Sequence, residues 1–303
     1  MARALHPRAF PLVLFVALLV LAVAPAVLPT YARSLTLAIL ADVSLAVSWA
    51  FFSGPSRYLS LATGAFFGAG AYTTALTGTR LAWPLPVLAG GAVAAAMAIF
   101  VGALALRLRG PYFAIFTFGL AELAKHVVIW FETGVTGTVG RLILSPPGPL
   151  TLYYTVLGVT AAAVTAALLL RRSRWGYALA GLGADEERAE TLGIHTTFVK
   201  IAIFASSAAL MGAVGAAMAP RWTYLDPQVF SPFVSFQTVI MALLGGATTV
   251  AGPIMGAVFI GLASEFFLLR FRYVYMLALG VTLIVVTLAL PSGLVGMRLR
   301  ARR

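Results

Sequence analysis

The chain has 303 residues, 61% of them hydrophobic and only 10% charged, with a formal charge of +12. A soluble domain carries about 25% charged residues, so a water-facing enzyme or binding module is excluded as the main architecture. Cysteine is absent and only three scattered histidines occur, which leaves no disulfide framework and no obvious metal-ligand set.

The first apolar run, 10–28, follows Arg3 and Arg8, and Ala22-Val23-Ala24 imitates a signal-cleavage site. The run exceeds the roughly 7–15 apolar residues of a secretory signal, and Pro25 would sit just after the cut, so the segment is expected to be a first spanning helix. Further runs long enough to approach the roughly 20 residues of a span follow near 34–52, 58–78, 84–106, 112–131 and 150–170.

Asp42, in the second run, has no basic residue within a turn and is expected to face a neighbouring helix or an aqueous cavity. The third run is rich in Gly, Ala, Ser and Thr, and Gly64-x-x-x-Gly68 has the spacing that lets helix backbones touch. Close packing is the first reading. The second is that Gly64, Phe67, Gly68, Gly70 and Tyr72 line a path or gate for a polar solute.

In the fifth run Glu122, Lys125 and His126 fall at i, i+3 and i+4 and share one helical face. A charge at mid-membrane costs about 2.5–3.5 kcal/mol on insertion scales, so this face must meet protein or water. A self-satisfying ion pair is one reading; a proton relay or solute contact is the other.

Residues 171–200 (RRSRWGYALAGLGADEERAETLGIHTTFVK) hold four of the nine acidic residues and are too charged for hydrocarbon. Asp185, Glu186, Glu187 and Glu190 precede Leu192-Gly193-Ile194, the pattern of a short polar helix closed by glycine in the left-handed cap position. Such a protruding helix suits gripping by another protein, against the plainer reading of a connecting loop. Four more apolar runs follow near 199–219, 233–250, 252–269 and 273–290, interrupted at Gly245-Gly246 and Gly252-Pro253. The break at Gly245 and Gly246 is a second place where a solute path is expected.

Ten segments result, with eight spans plus re-entrant pieces as the alternative. With the N-terminus in the cytoplasm, 14 basic residues fall inside: Arg3, Arg8, Arg57, Arg107, Arg109, Arg171, Arg172, Arg174, Arg188, Lys200, Arg298, Arg300, Arg302 and Arg303. Six fall outside (Arg33, Arg80, Arg141, Arg221, Arg270, Arg272), and Lys125 lies within a run. That asymmetry follows the positive-inside rule and puts both termini and residues 171–200 in the cytoplasm. It also accounts for the net charge without nucleic acid. The expected fold is an all-α polytopic transmembrane helix bundle forming a single permease domain over 1–303. No GxxxxGK[ST], HExxH or GxSxG motif and no paired carboxylates within a run occur, so no catalytic residue is expected.

Four motifs resemble those of the branched-chain amino acid ABC-transporter permeases of the LivM type. Residues 58–76 (YLSLATGAFFGAGAYTTAL) are similar to the family's LSLGxAAFFGIGAYTAAL, and 106–123 (LRLRGPYFAIFTFGLAEL) to its LRLRGxYFAIxTLAFAE. Residues 174–215 resemble its coupling loop and the small-residue helix that follows, and 239–256 (VIMALLGGATTVAGPIMG) its xxMxxLGGxGTxxGPxxG hairpin. The motifs stand in the family's order over about 34–296. Ala62-Thr63 departs from a Gly followed by His or Gln, Trp175-Gly176-Tyr177 from Phe-Gly-Arg, and 132–137 keeps only part of TGGTNG.

The resemblance implies a permease of the bacterial inner membrane that imports branched-chain or related small apolar amino acids. Urea, short amides and other small solutes are alternatives within the family. It further implies pairing with a second, homologous LivH-type permease, two cytoplasmic ATPase subunits carrying ATP and Mg, and a periplasmic or lipid-anchored solute-binding protein. No cofactor is implied on this chain. The coupling loop would then dock through Gly176, Gly181, Asp185, Glu186, Glu190, Leu192, Gly193 and Ile194. A reading from another class, a stand-alone proton-coupled transporter, would use Glu122, Lys125 and His126.

Overall fold

The computed structural model describes residues 9–270 apart from 79, 109, 144 and 145; the expected segment 273–290 and the Arg-rich tail lie outside the described residues. Nine of the expected segments fall on helices: α1 Ala9–Val27, α2 Thr30–Ser56, α3 Thr63–Thr77, α4 Leu85–Ala105, α5 Pro111–Phe131, α6 Pro149–Arg172, α9 Thr196–Met218, α10 Pro232–Gly245 and α11 Ala251–Arg270. Two short helices, α7 Arg174–Ala184 and α8 Glu186–Thr191, fill most of the polar stretch between α6 and α9. The only described strands, β1 Arg141–Leu142 and β2 Tyr224–Leu225, form one antiparallel pair. The chain is an all-α polytopic membrane bundle.

Helices α2, α4, α5, α6 and α9 are long and apolar enough to cross a bilayer. Successive helices run up and down between two ends of the bundle. The loop end carries α7 and α8, and the far end carries the β1–β2 pair. At 15 and 14 residues, α3 and α10 reach only about 22 and 21 Å, short of the roughly 30 Å hydrocarbon core.

Helices α2 and α9 form the centre, with 72% and 67% of their apolar windows buried, whereas only 17% of that of α5 is covered. Glycine sets how close the backbones come. A Cβ on Gly70 of α3 would overlap the carbonyl of Gly212 in α9, and one on Gly215 would overlap the carbonyl of Phe67. Without a hydrophobic force between helices in lipid, such contact is what van der Waals packing requires. The hairpin of α10 and α11 closes by the same device, since a Cβ on Gly245 would overlap the carbonyl of Gly252.

Candidate functional site

At the loop end, residues 173–196 fold into a compact double helix-turn. Ser173 caps α7 by accepting from the Gly176 amide at 3.2 Å, and Asp185 caps α8 by accepting from the Arg188 amide at 3.1 Å. Gly193 lies at φ +82°, in the left-handed position that closes α8, and the Ile194 amide donates back to the Ala189 carbonyl at 3.2 Å. A Cβ on Gly176 would overlap the Leu170 carbonyl, so glycine permits the sharp exit from α6; Gly181 faces open space.

The loop has two faces. Leu192 is 77% exposed, Tyr177 70% and Phe198 64%, a concentration of apolar surface outside the bundle. On the inner face the Glu190 carboxylate accepts from the Thr196 hydroxyl at 2.7 Å, and the Glu186 carboxylate sits 2.5 Å from the Lys200 ammonium. The second oxygen of Glu186 accepts from the Tyr58 hydroxyl at 2.9 Å, and Lys200 donates to the Leu106 carbonyl at 3.1 Å. Of the residues expected to form the docking loop, Gly181 and Leu192 point away from the bundle, whereas Glu186 points into it.

The start of the third apolar run is where sequence and structure differ most. The third apolar run is continuous in sequence, yet residues 57–62 are not helical and α3 starts only at Thr63. Irregular backbone at this depth has to be bonded inside the protein. The Leu61 amide donates to Thr117 of α5 at 2.9 Å, the Ser60 carbonyl accepts from the Trp49 indole at 2.8 Å, and the Gly64 amide donates to Ser235 of α10 at 2.8 Å. A Cβ on Gly64 would lie 2.6 Å from the Ser231 carbonyl, and one on Gly68 would press into the Phe230 ring. Two half-length helices therefore begin beside each other inside the bundle, α3 running to the far end and α10 to the loop end. Thr63 is fully buried and its hydroxyl has no hydrogen-bond partner.

Phe67 and Tyr72 are buried on α3. Tyr72 packs against Phe230 with ring centres 5.4 Å apart and planes tilted by 45°, and donates to Glu132 at 3.4 Å. Glu132, only 1% exposed, also accepts from the Gly140 amide at 2.6 Å and from the Arg141 guanidinium at 2.9 Å, anchoring the far-end loop next to β1. At the loop end, Gly246 adopts φ +104° in the turn between α10 and α11, and Arg171 of α6 donates to the carbonyls of Thr248 at 2.5 Å and Ala247 at 3.3 Å.

Glu122 lies 3.3 Å from Lys125 and 3.7 Å from His126. The triplet sits near the midpoint of α5, the least covered of the five span-length helices, and His126 is 70% exposed. Asp42 faces α11, where a Cβ on Gly261 would lie 3.7 Å from its carboxylate. Among the described residues no group of three His, Asp or Glu stands ready for a metal ion.

Tyr58, Lys200, Thr117, Ser235 and Arg141 were not singled out by sequence. Lys200 gave a usable signal, because a lone cation in the first turns of an apolar helix needs a partner. Thr117 and Ser235 accept from backbone amides of distant segments, and Tyr58 and Arg141 meet the carboxylates of Glu186 and Glu132, pairings that no helical spacing announces.

A family model described as the permease component of the branched-chain amino acid transport system matches residues 30–287. The high-affinity branched-chain amino acid transport system permease protein LivM of Salmonella typhimurium is 28% identical over 280 residues, covering 80% of this chain and 65% of that protein. The LivM protein of Escherichia coli K12 is 27% identical over 281 residues with the same coverage. The corresponding LivH protein of Escherichia coli K12 is 27% identical over 133 residues, 43% of this chain and 42% of that one. The matched part of the chain thus spans just under two thirds of the length of the LivM relatives. No solved structure matches.

Proposed function

The chain belongs to the branched-chain amino acid transport permease family, and from that membership we propose that it is one permease subunit of an ATP-driven importer of branched-chain or related small apolar amino acids in the bacterial inner membrane. Its loop end faces the cytoplasm, the side favoured by the distribution of basic residues. ATP and Mg bind to two separate ATPase subunits, and a solute-binding protein delivers the amino acid at the far end.

The observation that carries the reading is the α7–α8 unit. It is a rigid, doubly capped fold that presents Tyr177 and Leu192 outward. Apolar anchors rimmed by Asp185 and Arg188 have the make-up of a docking face. Closure of the ATPases rocks the helices, alternately opening the path to either side. The midpoint where α3 and α10 begin offers a zwitterion two helix N-termini and a buried threonine hydroxyl.

The uncovered face of α5 supports pairing with a second, homologous permease. Glu122, Lys125 and His126 lie at the helix midpoint, and an ionisable triplet there is poorly suited to lipid. A partner helix, with water between the subunits, satisfies it.

The test is uptake of labelled leucine, isoleucine and valine by membranes containing the chain with its partner subunits. Uptake should require ATP, and Leu192→Asp with Tyr177→Asp should lower recovery of the ATPases with the permease at least tenfold, the scale of about 1.4 kcal/mol for a lost apolar anchor. ATP-independent uptake driven by a proton gradient, or transport of urea in place of amino acids, would overturn the reading.

A further inference from the structure

Glu186 is an acidic residue in a loop read as a docking element, yet it does not face the docking side. Its side chain is 14% exposed and that of Lys200 is 5% exposed. The pair joins four parts of the chain: the start of α8 through Glu186, the first turns of α9 through Lys200, the end of α4 through the Leu106 carbonyl, and residue 58 through the tyrosine hydroxyl. The Tyr58 ring lies 5.3 Å beneath the ammonium and packs edge-on against Phe113 of α5, 5.2 Å between centres. Tyr58 opens the non-helical segment that leads to α3, so this contact runs from the cytoplasmic loop to the mid-membrane break.

A buried ion pair is weak evidence for stability, because desolvating both charges offsets most of their attraction; its better-attested use is to fix one arrangement of the elements it joins. Here the elements joined are the loop and the segment entering α3; α7 also packs on the end of α2, where a Cβ on Gly183 would overlap the Pro55 carbonyl, but the latch is the contact that reaches past that end to Tyr58.

We propose that Glu186, Lys200 and Tyr58 form a buried latch that carries displacement of the α7–α8 loop into segment 57–62 and the start of α3, making them positioning residues for transport instead of contacts for the ATPase. The proposal rests on the permease reading given above. Disconnecting the latch leaves a loop that can be gripped but moves without the pathway.

Two readouts on the full chain test it. In sealed inside-out vesicles, trypsin should cut at Arg188 several times faster in Tyr58→Phe and Glu186→Gln than in the parent, because the loop is no longer held. With the partner subunits present and L-leucine as the probe, Tyr58→Phe should lower leucine taken up per ATP hydrolysed about tenfold, the equivalent of one hydrogen bond to a charged group. Lys200→Met should lower it further. Tyr58→Phe keeps the ring under Lys200 and decides the matter should Lys200→Met fail to accumulate.

Equal cleavage in parent and variants would show that the loop is held elsewhere and overturn the latch. Faster cleavage with an unchanged ratio would reduce the cluster to structural glue and overturn it as well. A parent complex that takes up no leucine with ATP sinks the permease reading, and the cleavage rates still judge the latch separately.

Discussion

Two carboxylates, the buried Glu132 and the largely covered Glu186, stand at opposite ends of the bundle, and neither is free to serve as a solvent-facing acid. Glu132 is held by the Gly140 amide, the Arg141 guanidinium and the Tyr72 hydroxyl. Removing it strands a buried amide and a guanidinium whose side chain is only 30% exposed. Losing one partner of a buried pair costs about 3–5 kcal/mol, and the partial exposure of Arg141 brings the expectation for Glu132→Ala down to about 2–3 kcal/mol. Glu132→Gln, which still accepts from the amide, should cost about half as much. Thermal unfolding of the detergent-solubilised chain measures both, and equal melting temperatures for parent and Ala variant would contradict the clasp. From sequence, Glu132 read only as part of an imperfect motif, since its partners Tyr72 and Arg141 lie 60 and 9 residues away.

At the scale of elements, apolar length located the helices to within a few residues, and Gly193 announced the end of α8 by the one backbone conformation it tolerates better than other residues. The Glu122, Lys125 and His126 triplet was equally legible because its partners are i+3 and i+4 on the same helix. The break at 57–62 was not. Nothing in Tyr58-Leu59-Ser60-Leu61-Ala62 opposes a helix; the segment is held open by Trp49, Thr117 and Ser235, contributed by three other helices. The exposure of α5 is likewise a property of packing and gives the next prediction. Cysteines at Ile115 and Val127, 66% and 51% exposed, should form disulfides with cysteines on a co-expressed second permease. A cysteine at Phe100 of α4, 73% exposed but on an apolar face without ions, should not. Cross-linking at Phe100 and none at the α5 positions would place the partner on the wrong helix.

For the whole molecule, the pattern of a long central helix, a stretch without α-helix and a half-length helix occurs twice, as α2–α3 and, running the opposite way, as α9–α10, where the stretch holds β2 and two 3-10 turns. The two half-length helices start side by side at Gly64 and Ser235, where their N-termini leave amide groups that no helical turn satisfies. In the present arrangement this midpoint is sealed: Thr63 and Ser235 have no exposed surface. The alternating access proposed above requires that the seal break during turnover, and the absence of native cysteine makes the consequence measurable. Thr63→Cys and Ser235→Cys, which change little volume, should resist a membrane-impermeant thiol reagent in the resting complex and react at least tenfold faster when ATP and solute are supplied, a shift of about 1.4 kcal/mol in the open population. Ala98→Cys, fully buried on α4 away from the break, should stay protected in both conditions. Protection of Thr63→Cys and Ser235→Cys during turnover would mean that solute passes elsewhere, with the uncovered face of α5 the next place to probe.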